Sequence, residues 1–269
     1  MNLSWRQKRK NIFILLILVL VLSYSSFKIY PYFNVAPTCS DGKQNGDELG
    51  VDCGGSCQLV CPTQVVAFNV RSVLAVKSDK NLYDLVAMIE NKNSDKDTID
   101  GNIDYVFSVY DKAGSIIKTI SGSTTIPIGQ TFPLIVQNVS IDFGNSGNDL
   151  SYVSLKILDD KSWQKKDNYS VFANNFFKTV DTNFDQNKNN ISQLTVTLQN
   201  LTTADFKYVP VRVVIYDQKN NLIGLNETIM NESKPKSSQN LIFTWRNPLP
   251  VSNPKINVYS IVTPHTLIK

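Results

Sequence analysis

Histidine is almost missing from this chain. Its 269 residues include one, His265, in the tail "TPHTLIK". A multi-histidine metal site is therefore excluded, and an acid–base imidazole would need a scaffolded partner that a solvated tail does not supply. Cysteine is scarce and confined. All four fall between residues 39 and 61, so no Cys–His dyad is evident. No G-x-S-x-G elbow, Walker A loop or G-x-G-x-x-G fingerprint occurs. Heptads and long 3.6-residue periodicity are also lacking. Acidic residues are absent from the first 33 positions, which carry Arg6, Lys8, Arg9, Lys10 and Lys28. Beyond them, 22 basic residues face 23 acidic ones. The formal charge of +4 thus belongs to the N-terminus, and a nucleic-acid surface, which needs clustered Lys and Arg on the folded part, is not expected.

What the N-terminus has instead is apolar. Ile12 to Leu22 is unbroken, the run weakens over Ser23–Ser26, and Phe27, Ile29, Tyr30, Tyr32 and Phe33 extend it. A bilayer core takes about 20 helical residues. The spacing predicts a basic cytoplasmic tail over 1–10 and a transmembrane anchor over 11–33. Lys28 snorkels at one end, Tyr30, Tyr32 and Phe33 form an aromatic belt, and Trp5 lies near the other face. The basic flank stays inside, so the C-terminal bulk is exported across the cell membrane. The rival reading is a cleaved signal peptide with "SYS" as its cleavage site.

The remainder consists of short alternating runs bounded by Gly, Asn, Asp, Ser and Pro, the pattern of antiparallel strands. Two segments of similar length match in order. "IDYVFSVYDKAGSII" (103–117) pairs with "VPVRVVIYDQKNNLI" (209–223), placing Tyr110-Asp111 on Tyr216-Asp217. Upstream, "MIEN" ending at Asn91 matches "TLQN" ending at Asn200, and downstream Pro127 matches Pro235. Each segment alternates apolar residues, Ile103, Tyr105, Phe107 and Val109 in one and Val209, Val211, Val213 and Ile215 in the other. Asp111 and Asp217 are expected to bond backbone N–H groups in hairpin turns. The expected fold class is mostly β, with two tandem immunoglobulin- or fibronectin-like sandwiches over 64–166 and 167–269 behind a disulfide-rich segment over 37–62.

"FSVYD" (107–111) resembles the signature strand of FxLYD-type domains, with Val109 in the Leu position. "VVIYD" (213–217) is a weaker copy, Val213 replacing the Phe. "IENKN" (89–93) and "IPIGQT" are similar to the strand end and Pro-Gly strand entry of that family; the second copy departs at Ser237, where the Gly would stand. The resemblance covers each segment's centre. It implies a sandwich fold, shared with LEA-14-like domains, on exported microbial proteins, and brings no catalytic residues.

"CSDGKQNGDELGVDCGGSCQLVCP" (39–62) holds Cys39, Cys53, Cys57 and Cys61 in the spacing C-x13-C-x3-C-x3-C. A zinc ribbon wants separated C-x2-C knuckles and a thioredoxin site wants C-x-x-C, so neither fits. In an oxidising compartment four cysteines make two disulfides with three possible pairings. The segment has too little apolar content for its own core, and such staples hold it compact. Two readings of its acids stand. One is a loose calcium site on Asp41, Asn45, Asp47 and Asp52, short of an EF-hand because Lys43 takes the third ligand position and Asp52 replaces the bidentate Glu. The other is tight Asn-Gly and Gly-Gly turns with solvated acids. The stretch resembles a recurrent bacterial module, C-x-D-G-x-x-N-G-x-E-x-G-x-D-C-G-G-x-C, with Leu49 in the usual Thr position; the module implies a surface or secreted protein and no activity.

The remaining candidates are ordinary. Asp159-Asp160 reads as a solvated strand end. Trp163 and Trp245 read as strand-end packing, with a carbohydrate-stacking platform as the alternative. The sequons at Asn138, Asn168, Asn190, Asn200, Asn226 and Asn231 read as polar surface in an Asn-rich chain. The expected protein is non-catalytic and membrane-anchored, with no cofactor beyond that calcium. It binds a protein or glycan partner or scaffolds the envelope. The alternatives are a pilin-like subunit, disfavoured because Ile12 to Leu22 lacks a Glu, and a carbohydrate-active module.

Overall fold

The computed structural model describes residues 5–33, 39–92, 98–100, 102–125, 131–143, 150–158, 164–166, 176–186, 191–251, 253–263 and 266. Pro127, Asp159, Asp160, Trp163, Asp167, Asn168, Asn190 and His265 lie outside the described residues. The chain divides into two compact units, Met1–Cys61 and Pro62–Lys269.

The first unit opens with helix α1 (Trp5–Phe33), 29 residues long. At 1.5 Å per residue it extends about 43 Å, enough for a bilayer core and part of both interfaces. Residues Trp5–Tyr30 are long and apolar enough to cross a membrane, a test that an N-terminal signal sequence also passes. The polar interruption does not break the helix, because the Ser23 hydroxyl donates to the Leu20 carbonyl at 3.0 Å and so satisfies itself locally. At the basic end the Arg9 guanidinium lies 3.8 Å from the centre of the Trp5 ring.

The second unit is built of strands: β1 (Asn69–Asp79), β2 (Leu82–Glu90), β3 (Thr98–Asp100), β4 (Asn102–Asp111), β5 (Ile116–Thr125), β6 (Thr131–Ser140), β7 (Leu150–Leu158), β8 (Gln164–Lys166), β9 (Phe177–Gln186), β10 (Ser192–Asn200), β11 (Phe206–Tyr216), β12 (Leu222–Ser233), β13 (Ser238–Trp245) and β14 (Lys255–Ser260). In the first half, sheets β1-β2-β6 and β5-β4-β7 form; in the second, β9-β10-β13 and β12-β11-β14. Every pairing within these sheets is antiparallel. The short strands β3 and β8 pair as a ribbon.

Alternation sets the sandwich cores. Along β4, Ile103, Tyr105, Phe107 and Val109 are buried, and along β10 so are Leu194, Val196 and Leu198. In the second half one core joins β10 (Leu194, Val196, Leu198), β11 (Val209, Val211, Val213, Ile215) and β13 (Leu241, Phe243, Trp245). The two hairpins close as expected. Asp111 Oδ1 accepts the N–H of Ala113 and Ser115, and Asp217 Oδ1 accepts those of Lys219 and Asn221. Gly114 and Asn220 take the left-handed conformations these turns need, φ 80° and 66°.

Two strands break the alternation. The stretch Tyr83–Ile89 of β2 is buried without interruption, and Arg212 and Val214 of β11 are buried although they point away from their own core. The cause is a junction between the halves. Val86 and Met88 pack with Leu225 of β12, and Val76, Ile135, Leu222 and Tyr259 complete the cluster. The Arg212 guanidinium spans the same contact, donating to the Pro133 carbonyl at 2.7 Å and pairing with Glu227. The division expected between residues 166 and 167 therefore falls inside one compact unit whose halves share a buried face.

Asn200 corrects the surface reading of its sequon. It is fully buried, and its amide donates to the Ala204 and Lys234 carbonyls at 2.9 and 3.0 Å. Its Oδ1 accepts the Thr202 N–H and hydroxyl. Asn200→Ala strips both donors from two carbonyls and the acceptor from two donors. It should lower unfolding free energy by about 2–4 kcal/mol in denaturant titration. A loss within ordinary surface scatter would disprove its structural role.

Candidate functional site

The cysteine segment resolves into the pairs Cys39–Cys57 and Cys53–Cys61. The glycines of "DCGG" have steric reasons. Gly54 and Gly55 adopt φ of 77° and 55°, and a Cβ on Gly55 would stand 2.0 Å from the Asp47 carbonyl oxygen. The acidic residues bond within the segment. Asp52 accepts the N–H of Asp41 at 2.9 Å and of Gly42, while Asp41 accepts the Lys43 N–H and the Asn45 amide. Asp47 turns to the Ser56 hydroxyl at 2.8 Å. Asp41, Asn45 and Asp52 are thus brought into one network; a calcium ion there would share Asp41 and Asp52 oxygens already bonded to N–H donors, while Asn45 Oδ1 is buried without a hydrogen-bond partner among the described residues. A closer group of potential ligands is Cys39, Glu48 and Cys57, but those two sulfurs are joined to each other. Glu48 is buried, with Oε2 accepting the Asn45 N–H at 3.1 Å.

The second feature is a cleft of about 240 Å³ at the junction of the two halves. Its wall comes from the end of β1, the start of β2, the last part of β6, the start of β12, and the end of β13 with the residues that follow it. Asp84 of β2 faces it and is 5% exposed. Opposite Asp84 the ladder slips, Tyr83 pairing with Val139 and Leu85 with Val136. Gln137 and Asn138 therefore form a β-bulge, a device common beside binding sites. Asn138 sits at φ 57°, which aims its N–H at Asp84 Oδ1, 2.7 Å away. The Ser78 hydroxyl donates to the same oxygen at 3.2 Å. Burial pushes the Asp84 carboxyl above its ordinary value of 3.8, against the pull of these two bonds. By linkage the ionised carboxylate weakens the fold as pH rises through that raised value.

Trp245 closes the cleft from below. It is 8% exposed and its Nε1–H donates to the Leu225 carbonyl at 3.1 Å, so it packs rather than offering a stacking platform. Gly224 leaves it room, since a Cβ there would meet Leu249 at 3.0 Å and Trp245 Nε1 at 3.3 Å. Gln137 donates across the junction to the same Leu225 carbonyl, and Asn247 to Ser78. Sequence reasoning missed Asp84. Its signal was a lone carboxylate inside the apolar run "LYDLVAMI" (82–89).

The fold defines a β-sandwich protein with an N-terminal apolar helix and a two-disulfide segment. No family model matches the chain. No curated protein matches it either. Among solved structures it is similar to a red sea bream transglutaminase, at 7% identity and a TM-score of 0.25, over 70% of this chain and 29% of that one. It is also similar to a β-glucuronidase from Parabacteroides merdae, at 13% identity and TM-score 0.23, over 71% and 28%. An exo-chitosanase from Amycolatopsis orientalis matches at 13% identity and TM-score 0.23, over 70% and 25%. The chain spans less than a third of each of these proteins.

Proposed function

We propose that this is a non-catalytic, membrane-anchored protein that holds a β-rich binding or scaffolding module outside the cytoplasm. The observation that carries the reading is the succession of a membrane-length helix with a basic flank and a segment closed by two disulfides. Disulfides persist where the compartment is oxidising, and basic residues stay on the cytoplasmic side. The two sandwich halves serve as immunoglobulin-like domains of the FxLYD type, repeated in tandem and docked through their shared face.

Protease protection tests the topology. With a C-terminal tag, external protease should remove the tag from intact cells, and the untreated protein should fractionate with membranes at full mass. A soluble product shortened by about 25 residues would replace the anchor with a signal peptide. A tag protected in intact cells and exposed only on lysis would overturn the orientation.

A further inference from the structure

The junction cleft has a buried carboxylate, Asp84, in its wall. Both hydrogen bonds to Asp84 fall on Oδ1; among the described residues Oδ2 accepts none, and no cationic side chain pairs with the carboxylate. Yet the residue is 5% exposed and forms part of the cleft wall. A carboxylate kept at that depth without a counter-charge costs stability, and an asparagine would accept the same two bonds without the charge. The bulge adds a second cost, because Asn138 is held in the left-handed region to serve Asp84. Two unfavourable features converging on one carboxylate in a cavity wall are what a binding site retains and a packing contact discards. The cavity, about 240 Å³, is below the roughly 300–1,000 Å³ of drug-sized pockets, so its occupant is a single small ring or chain. Asn138 and Thr244 belong to the wall, and Lys77 and Arg246 of the lining are exposed.

We propose that the cleft binds a small hydroxylated amine of the amino-sugar class, its ammonium group taking Asp84 as counter-ion and its hydroxyls meeting Asn138 and Thr244. A neutral hydroxyl would leave the buried charge uncompensated; an ammonium both pairs with it and donates to Oδ2. The inference rests on reading the β unit as a binding module.

Calorimetric titration of the full chain in detergent micelles, with glucosamine as probe and glucose and N-acetylglucosamine as controls, tests it. Glucosamine should saturate with a Kd of about 1 mM, the range a few polar contacts reach, and the two neutral sugars should bind at least tenfold more weakly. Asp84→Asn should melt no lower than the parent at neutral pH, yet lose glucosamine binding at least tenfold. Arg246→Glu, on the exposed rim, should tighten binding severalfold by exchanging a repelling charge for an attracting one. It also decides the matter should Asp84→Asn fail to fold. No saturation by glucosamine, equal binding of the neutral sugars, undiminished binding by Asp84→Asn, or indifference to Arg246→Glu overturns the proposal. Those outcomes leave the protease-protection result standing, whereas an inward-facing C-terminus removes the underlying reading whatever the titration gives.

Discussion

Arg212→Ala should destabilise the β unit by about 2–4 kcal/mol, chiefly the cost of leaving the buried Pro133 carbonyl without its charged donor. The arginine side chain is 11% exposed, and its guanidinium serves Glu227 on the neighbouring strand and the Pro133 carbonyl of the other half. Truncation leaves the Pro133 carbonyl without its donor at the buried face and the solvent-accessible Glu227 carboxylate without its cation. It also removes the aliphatic stem from the layer beside Val214. The loss should be specific to the missing partner. Replacing the pair together, Arg212→Met with Glu227→Leu, should recover only part of the stability, because the methionine restores the apolar stem while the Pro133 carbonyl stays without a donor. Urea unfolding followed by intrinsic fluorescence measures both variants. The parent should unfold in one transition, since Val86, Met88 and Leu225 couple the halves. Arg212→Ala should broaden or split it. A single unshifted transition in that variant would mean that the junction is incidental and that each half holds itself.

The strands themselves were legible because a half-buried strand writes its inward face into every second residue. Val209, Val211, Val213 and Ile215 were placed correctly on the core, and Asp111 and Asp217 in their turns. Alternation cannot say what the outward face meets. Arg212 and Val214 fall on that outward face, and the burial of Val86 and Met88 comes from a partner strand more than 130 residues away. The same limit hid Asp84, whose significance depends on a bulge in β6 that no local pattern announces. Asn200 was misread for another reason. A sequon describes three consecutive residues, whereas the carbonyls that fix this amide come from Ala204 and Lys234. In the cysteine segment the oxidised state followed from composition and setting. The choice among three pairings did not, since spacing constrains loop length and leaves the path of the chain between cysteines open.

The second large effect concerns those pairings. Reduction should unfold residues 39–61 while leaving the melting of the β unit unchanged. The segment's buried apolar side chains are Val60 and the half-cystines Cys53, Cys57 and Cys61, too few to offset the ordering entropy of some twenty residues. Loop closure supplies the difference. The Cys39–Cys57 link, 18 residues apart, is worth about 3 kcal/mol and the Cys53–Cys61 link, 8 apart, slightly less. Removing the longer link does further harm, because buried Glu48 packs its Oε1 3.4 Å from the Cys57 sulfur and would be exposed with it. Lys43 is the tryptic site within the segment and reports its opening. Cleavage there should be slow in the oxidised protein, faster in Cys53→Ser/Cys61→Ser, and faster again in Cys39→Ser/Cys57→Ser. The fully reduced chain should be cut fastest. Equal cleavage at Lys43 with and without reductant would mean that the turns and the Asp41–Asp52 network hold the segment without the sulfurs.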